Sequence, residues 1–321
     1  MLYLRKLKTM KEYYLVTSEH LEEALWFRDD EDFVTGMNYV AIQAALSPDV
    51  IVLVFILMSN HVHFVLYGTR KDVEAFVNGF KARYSLYMRR RYGVKEFLRR
   101  NNLDFRLVSE GVGESLERAV AYVQMNCVAA SICLTPGQYP WGTGNSFFKA
   151  GWAPVHSENV GCMEGVSERC PTVNYGRLGD LSGREKIRRL HSGLALKLPD
   201  EWMLCDAGFV LPESYVGVKL VESVFRSPKR MQHFLNSSSK ARIRLGAEDE
   251  HLPAFRDQVI LYVMPDLLRS LFQKTAFGNL SAEEQAEALR QIRFRFSVGV
   301  HQAARVCGIS YADAARLLDS A

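Results

Sequence analysis

Residues 50–68 constrain the fold more than any other stretch, because two apolar runs flank a short polar turn. Residues 50–58 and 61–68 are rich in the β-branched and aromatic side chains that strands favour. Ser59 and Asn60, which separate the two runs, are turn formers. The segment is therefore predicted to be a β-hairpin with at least one face packed against the rest of the protein.

Two histidines open the second strand of this hairpin. Side chains alternate between the faces of a strand, so His61 and His63 share one face, while Val62, Phe64 and Leu66 share the packed one. Neutral imidazoles one strand repeat apart, about 6 to 7 Å, can bind one divalent ion. The alternative is a pair of histidines that is merely solvated or hydrogen-bonded.

Length and composition set the outer limits. A chain of 321 residues with 48% hydrophobic content can bury one sizeable core and a second smaller one, so two or more domains are expected. No apolar run approaches the length of a membrane-spanning helix, and the first residues lack the apolar core of a signal peptide. The six cysteines show no CxxC spacing, which favours free thiols. We therefore expect a cytoplasmic protein without a membrane partner.

Positive charge is concentrated in one segment. The formal net charge is +4, but residues 70–100 carry ten Lys or Arg against three Asp or Glu, a local charge of +7. Such localisation suits a polyanion. The residues predicted to contact DNA from the helix at residues 71–92 are Lys81, Arg83, Arg89, Arg90 and Arg91. The simpler alternative is a solvated basic face.

Hydrophobic periodicity predicts an α+β fold for residues 1–150. Besides the hairpin, strands are predicted at 13–17 and 105–109, and helices at 30–45, 71–92 and 115–130. The order βαββαβ, followed by a helix, is that of a ferredoxin-like antiparallel sheet. Because the helices have one-sided apolar faces, they are predicted to lie on one face of the sheet.

The helix at 115–130 carries a second pair of functional candidates. Tyr122 and Asn126 are four residues apart and therefore share a face of the helix. An amide oxygen could complete a two-histidine site for Mg²⁺ or Mn²⁺, and a phenol beside that ion could attack phosphorus. Judged alone, Tyr122 is more typical of a half-buried core tyrosine.

Four stretches are informative when taken together and in order: FRDDEDFVTGMN, SNHVHFVL before the basic helix, AYVQMNCVAA, and YPWGTGNSFF. Together they resemble the HUH single-tyrosine transposases, in particular the REP-associated tyrosine transposase branch. The His-hydrophobic-His pattern of that family falls on residues 61–63, and its Tyr-x-x-x-Asn pattern on Tyr122 and Asn126. The likeness covers residues 11–148. Residues 126–130 depart from the Asn-Pro-Val-Arg-Ala of many relatives.

The resemblance implies an HUH domain and a specific chemistry. His61, His63 and Asn126 correspond to ligands of Mg²⁺ or Mn²⁺ at a scissile phosphate. Tyr122 corresponds to a nucleophile that displaces a 3′-hydroxyl and leaves a 5′-phosphotyrosine. The implied partner is single-stranded or hairpin DNA, bound by a monomer or a homodimer. Aromatic residues considered for base stacking, with core packing as the alternative, are Tyr84, Tyr87, Tyr139, Trp141, Phe147 and Phe148.

The rest of the chain is predicted to form two further units. Residues 151–246 are interpreted as a connector and a middle unit without a catalytic constellation. Residues 247–321 are interpreted as a helical unit in which helices at 300–307 and 311–319 form a helix-turn-helix. Arg305 and Arg316 favour DNA binding by this unit, although ordinary packing helices share the same pattern.

Two other functions fit the same residues. One is a non-cleaving, DNA-binding regulator derived from a transposase. The other is an unrelated metal-dependent hydrolase that uses water as its nucleophile, in which Tyr122 is structural. A covalent protein–DNA adduct is expected only for the transposase-like enzyme.

Overall fold

A four-stranded antiparallel sheet with the order β2-β3-β1-β4 organises the N-terminal half. A computed structural model describes residues 10–21, 24–95, 98, 101–108, 115–130, 132–149, 176–239, 255–296 and 298–319. The strands are β1 (Glu12–Ser18), β2 (Ile51–Met58), β3 (His61–Gly68) and β4 (Leu103–Leu107). The predicted hairpin and the α+β class are confirmed. The end of the strand predicted at 105–109 lies outside the described residues.

Strand β3, which carries the histidines, lies inside the sheet between β2 and β1. Met58 is opposite His61 across the two-residue turn, so the hairpin register follows directly from Ser59 and Asn60. On its other side β3 pairs with β1, where Thr17 is opposite His63. The histidine strand is therefore held by backbone hydrogen bonds along both edges.

Three main helices pack on this sheet. Helix α1 (Asp30–Leu46) begins where the Asp29 side chain accepts from the backbone N–H of Asp32. Helix α2 (Arg70–Tyr92) ends at Gly93, whose φ of 69° suits a glycine. Helix α3 (Leu116–Gln124) is followed, after Met125, by the short helix α4 (Asn126–Ala129). The single helix predicted at 115–130 is thus interrupted at Met125.

The helices do not share one face of the sheet, so that prediction is wrong for α3. Phe64 packs against Phe76 and Phe80 of α2, with ring centroids 6.0 and 5.8 Å apart. Its strand neighbour His63 instead contacts Tyr122 of α3, with centroids 5.7 Å apart. Because successive strand residues point to opposite faces, α2 and α3 lie on opposite sides of the sheet. Helix α3 therefore covers the histidine face.

The outer edge of β2 is closed by the WGTG stretch. Leu57 N–H donates to the Trp141 carbonyl at 2.9 Å, and Thr143 N–H donates to the Phe55 carbonyl at 3.0 Å. A Cβ placed on Gly142 would lie only 2.6 Å from the Phe55 oxygen, so this close approach requires glycine. The stretch satisfies polar backbone groups that an open edge strand would expose.

Gly142→Ala is therefore expected to destabilise the protein by about 2 kcal/mol, because the added methyl group pushes the stretch off the sheet edge. Gly278→Ala is the matched control, since nothing lies within 4 Å of a Cβ there. Urea denaturation monitored by circular dichroism would measure both. Equal midpoints for the two variants would contradict the assigned role of Gly142.

Residues 176–239 pack onto the sheet rather than standing apart. Their elements are β5 (Gly176–Arg177), α5 (Gly183–Leu190), β6 (Met203–Leu204), α6 (Val218–Phe225) and α7 (Pro228–Ser237). The Asn38 amide of α1 donates to the Gly208 carbonyl at 3.1 Å and accepts from Val210 N–H at 3.0 Å. Buried side chains between Leu178 and Leu235 belong to the same core as the sheet. The predicted connector at 151–175 lies outside the described residues.

The C-terminal helices have a core of their own. They are α8 (Asp257–Phe272), α9 (Ala282–Phe296), α10 (Val300–Cys307) and α11 (Tyr311–Asp319). The helices predicted at 300–307 and 311–319 are confirmed as helices, with Gly308 at φ 70° between them. Within the described part of the chain, no helix combines the length and apolarity that a membrane span requires.

Candidate metal and nucleophile site

Three histidines meet at the start of β3. The ligand nitrogens of His20, His61 and His63 all lie within 4.8 Å of one another. The His20 ring stacks on that of His61 with centroids 3.7 Å apart, and His61 meets His63 edge to face at 4.8 Å. His61 and His63 are buried, whereas His20 is exposed. The predicted pair is thus joined by a third imidazole.

His20 reaches this cluster because β1 runs alongside β3. Ser18, the last residue of β1, accepts a hydrogen bond from Val62 N–H at 2.9 Å through its hydroxyl. Three residues further on, Leu21 N–H donates to the Asn60 carbonyl, and the Asn60 amide donates to the Leu21 carbonyl, both at 3.0 Å. These bonds hold His20 beside the hairpin turn.

Sequence reasoning missed His20 because it follows a strand and belongs to no motif. The available signal was its position two residues beyond β1, but that is informative only when the pairing of β1 with β3 is known. Adjacent strands bring residues at their ends together irrespective of sequence distance.

Hydrogen bonds to Nδ1 fix the two buried rings. Thr17 Oγ1 lies 3.0 Å from Nδ1 of His63, and Asn60 Oδ1 lies 2.8 Å from Nδ1 of His61. Since an amide oxygen only accepts, His61 Nδ1–H is the donor to Asn60. An oxygen partner on one ring nitrogen is the usual arrangement for a histidine that binds a metal through the other. His61 therefore presents Nε2 as its ligand atom, and His63 does so when its Nδ1–H donates to Thr17.

The cluster can hold a metal ion. Two imidazole nitrogens bound to one ion, each at about 2.0 to 2.1 Å, lie at most about 4 Å apart, so the observed limit of 4.8 Å requires only a small closure. Imidazole donors are typical of ions such as Zn²⁺, whereas Mg²⁺ and Mn²⁺ usually take more oxygen ligands. The choice of Mg²⁺ or Mn²⁺ therefore stays a prediction.

Tyr122 and Asn126 lie on the helical layer that covers the histidines. The half-buried ring of Tyr122 is perpendicular to that of His63. Asn126 is buried, and its amide donates to the carbonyls of Tyr122 at 2.9 Å and Val123 at 3.2 Å. The structure thus brings Tyr122 to the histidines and ties Asn126 to the backbone of Tyr122. The role of Asn126 as a metal ligand stays a prediction.

Three of the basic residues predicted on α2 have partners within the protein. Lys81 is buried and donates to the Asn101 carbonyl, and burial lowers the pKa of its amine. Arg83 donates to the Gln43 side chain and to the Gly79 carbonyl. Arg91 forms ion pairs with acidic residues at the start of α1: Asp29, Glu31 and Asp32 at 2.7, 3.0 and 2.6 Å.

The remaining basic residues differ in how available they are to a ligand. Arg89 and Arg90 are exposed in the last turn of α2. In the C-terminal unit Arg305 makes two hydrogen bonds, at 2.8 and 3.1 Å, to the buried carboxylate of Asp257. Arg316 pairs with Asp313 at 2.5 Å and stays largely exposed. Access for DNA is therefore sterically best at Arg89, Arg90 and Arg316, and contact with DNA stays a prediction for all of these residues.

Arg91→Ala is expected to lower the free energy of unfolding by about 3 kcal/mol, because it leaves the fully buried carboxylate of Asp32 without its cation. Arg90→Ala, the exposed neighbour, should change it by less than about 0.5 kcal/mol. Chemical denaturation of both variants would test this. Unchanged stability of Arg91→Ala together with weaker DNA binding would instead identify Arg91 as a DNA contact.

Most of the aromatic residues considered for base stacking belong to the core. The buried ones are Tyr84, Tyr87, Tyr139, Trp141 and Phe147. Phe148 is half-buried. Core packing, the alternative given for these residues, is confirmed for the five buried side chains.

Comparison of the chain with protein-family models, curated proteins and solved structures gives no match. The basis for assigning a function is therefore the geometry of the site together with the resemblance of its sequence motifs.

Proposed function

We propose that this protein is a metal-dependent DNA transesterase of the HUH single-tyrosine type, which nicks and joins single-stranded or hairpin DNA. The observation that carries the proposal is the placement of Tyr122 against His63, with ring centroids 5.7 Å apart, within a cluster of three histidines. A divalent ion beside a phenol is one way to activate a tyrosine as a nucleophile on phosphorus. The DNA substrate is taken from the sequence resemblance.

The chain supplies the ligands for the ion. His20, His61 and His63 would hold it, and Asn126 is proposed to contribute its amide oxygen when DNA is bound. When bound, a divalent ion supplies positive charge beside the non-bridging oxygens of the scissile phosphate. The buried positions of His61 and His63 keep their rings fixed, so little reorganisation is needed to receive it.

The reaction proposed for Tyr122 is an exchange of phosphodiester bonds. The phenol loses its proton to solvent, and its oxygen forms a bond to phosphorus. The bond from phosphorus to the 3′-oxygen breaks, and that oxygen leaves as a hydroxyl after taking up a proton. Attack by another 3′-hydroxyl on the 5′-phosphotyrosine reverses the step and joins strands, so no nucleotide cofactor is consumed.

The topology supports the finer description of the fold. The order β2-β3-β1-β4, with α1 and α2 packed together on the Phe64 side, is compatible with a ferredoxin-like HUH domain. We further propose that α10 and α11 act as a helix-turn-helix that adds DNA affinity and target choice. Arg316, which is largely exposed on α11, supports that role.

A hydrolase is the second candidate, because one observation favours it. Three histidines meet here, and three histidines are the protein ligands of some catalytic zinc sites, in which water takes the fourth position. In that enzyme water would be the nucleophile, and Tyr122 would only pack beside the cluster. The DNA product would then be free of protein.

The deciding experiment is incubation of the full chain with Mn²⁺ and a pool of labelled single-stranded hairpin DNAs, followed by a denaturing gel. The transesterase proposal predicts a DNA–protein complex that survives denaturation. Cleaved DNA without any attached protein would contradict the transesterase proposal and support the hydrolase.

A further inference from the structure

Phe294, near the end of α9, is an unusually exposed phenylalanine. Its side chain is 85% exposed. An α-helix turns about 100° per residue, so Phe294 points almost directly away from the buried Ile292 and Phe296, which pack into the C-terminal core. No packing role within the described residues accounts for an aromatic ring at this position.

Two exposed arginines flank this ring. Arg293 and Arg295 are adjacent to Phe294 in the sequence, and neither forms an ion pair with any described residue. The Arg295 guanidinium donates a hydrogen bond to the Gln291 side-chain oxygen at 3.0 Å. The acidic residues of α9 lie in its first half, where Glu284 and Glu287 are already paired with Lys274 and Arg290. We call Arg293, Phe294 and Arg295 the α9 patch.

A single exposed apolar side chain is ordinary on a protein surface, and Tyr262 on α8 shows this at 86% exposure. The α9 patch differs because its aromatic residue is flanked in the sequence by two exposed arginines, whose side chains leave the helix about 100° to either side of the ring. Single-stranded nucleic acid offers the complementary chemistry, with flat bases that stack on an aromatic ring and regularly spaced phosphates that attract guanidinium groups. A protein partner would need a hydrophobic pocket flanked by two carboxylates.

We infer that the α9 patch is a single-stranded DNA contact, in which a base stacks on Phe294 while Arg293 and Arg295 contact the flanking phosphates. The choice of DNA rests on the proposed function. The inference deepens that function by placing part of the strand-binding surface on α9, outside both the basic helix α2 and the helix pair α10 and α11.

The test uses the full chain and a fluorescein-labelled 20-nucleotide oligo-dT, with the Kd measured by fluorescence anisotropy at two salt concentrations. Phe294→Ala should weaken binding about tenfold, while Phe294→Trp, which keeps a stacking surface, should stay within about twofold of the parent. Tyr262→Ala is the matched control and should bind as the parent does. Replacing Arg293 and Arg295 with Gln should reduce the salt slope by about 0.7 for each phosphate that the variant no longer neutralises.

Two results would overturn the inference. One is a Phe294→Ala protein that melts like the parent and keeps its Kd. The other is tighter binding of oligo-U RNA than of oligo-dT with the same dependence on Phe294, which would assign the patch to RNA. The adduct assay tests the proposed function independently. If the parent forms no DNA adduct but Phe294→Ala still weakens oligo-dT binding, only the transesterase proposal fails. If the parent forms the adduct but Phe294→Ala binds oligo-dT as the parent does, only this inference fails.

Discussion

Tyr122→Phe is expected to abolish covalent attachment to DNA while changing the free energy of unfolding by no more than about 1 kcal/mol. The substitution removes one hydroxyl and keeps the ring that packs edge to face on His63. Without that oxygen no phosphotyrosine can form, so the expected loss is complete rather than partial. Noncovalent DNA binding should persist, because the proposed DNA contacts on α2, α9 and α11 are unchanged.

The matched control for this experiment is Tyr67→Phe. Tyr67 is a half-buried tyrosine on β3, two strand repeats beyond His63 and therefore on the same face. The Tyr67→Phe substitution removes the same hydroxyl group outside the histidine cluster, and it should leave adduct formation intact. Adduct formation by Tyr122→Phe at the level of the parent would place the nucleophile elsewhere, and mass spectrometry of the adduct peptide would identify it.

Removal of any one histidine of the cluster is expected to weaken Mn²⁺ binding by more than tenfold and to eliminate DNA cleavage, because each variant loses one of three imidazole ligands. His20→Ala is the most informative, since His20 is exposed and its loss leaves no cavity in the core. Alanine at His61 or His63 removes a buried ring, so those variants also require a thermal melt. Isothermal calorimetry with Mn²⁺ measures the affinity directly.

His301→Ala is the matched control for His20→Ala. Both histidines are exposed, and both stack on an aromatic ring, His20 on His61 at 3.7 Å and His301 on Tyr311 at 4.0 Å. Only the first should alter Mn²⁺ binding. A parent-like Kd for His20→Ala would exclude His20 as a ligand, and Asn126→Ala would then show whether the amide completes the set.

The sequence predicts those parts of the fold that depend on local chemistry. Ser59 and Asn60 place the hairpin turn, and hydrophobic periodicity places helices α1 and α2 to within one residue of their observed ends. Period-two alternation puts His61 and His63 on one face without any knowledge of the rest of the chain. These features are encoded within a few residues of where they appear.

Features that depend on long-range pairing were not predictable. A one-sided apolar helix shows that it packs on a sheet but not on which side, so the position of α3 needed the structure. Likewise, the sequence does not show that Arg91 forms ion pairs with Asp29 and Asp32, because these residues lie about 60 positions earlier in the chain. His20 enters the site only through the pairing of β1 with β3.

The C-terminal unit is hydrogen-bonded to the turn that precedes His61. The Gln258 amide of α8 donates to the Phe27 carbonyl at 3.0 Å and to the Ser59 hydroxyl at 3.3 Å, while Trp26 and Phe27 donate backbone bonds to the Ser59 carbonyl. If a ligand displaced α8 together with Gln258, the turn beside His61 would lose the hydrogen bond that Gln258 donates to Ser59, and binding of that ligand would be coupled to binding of the ion. Thermodynamic linkage makes that effect reciprocal, so the ion would change the affinity for the ligand by the same factor. If DNA were that ligand, the measured Kd for the ion would depend on the DNA concentration, and the measured Kd for DNA would depend on the ion concentration.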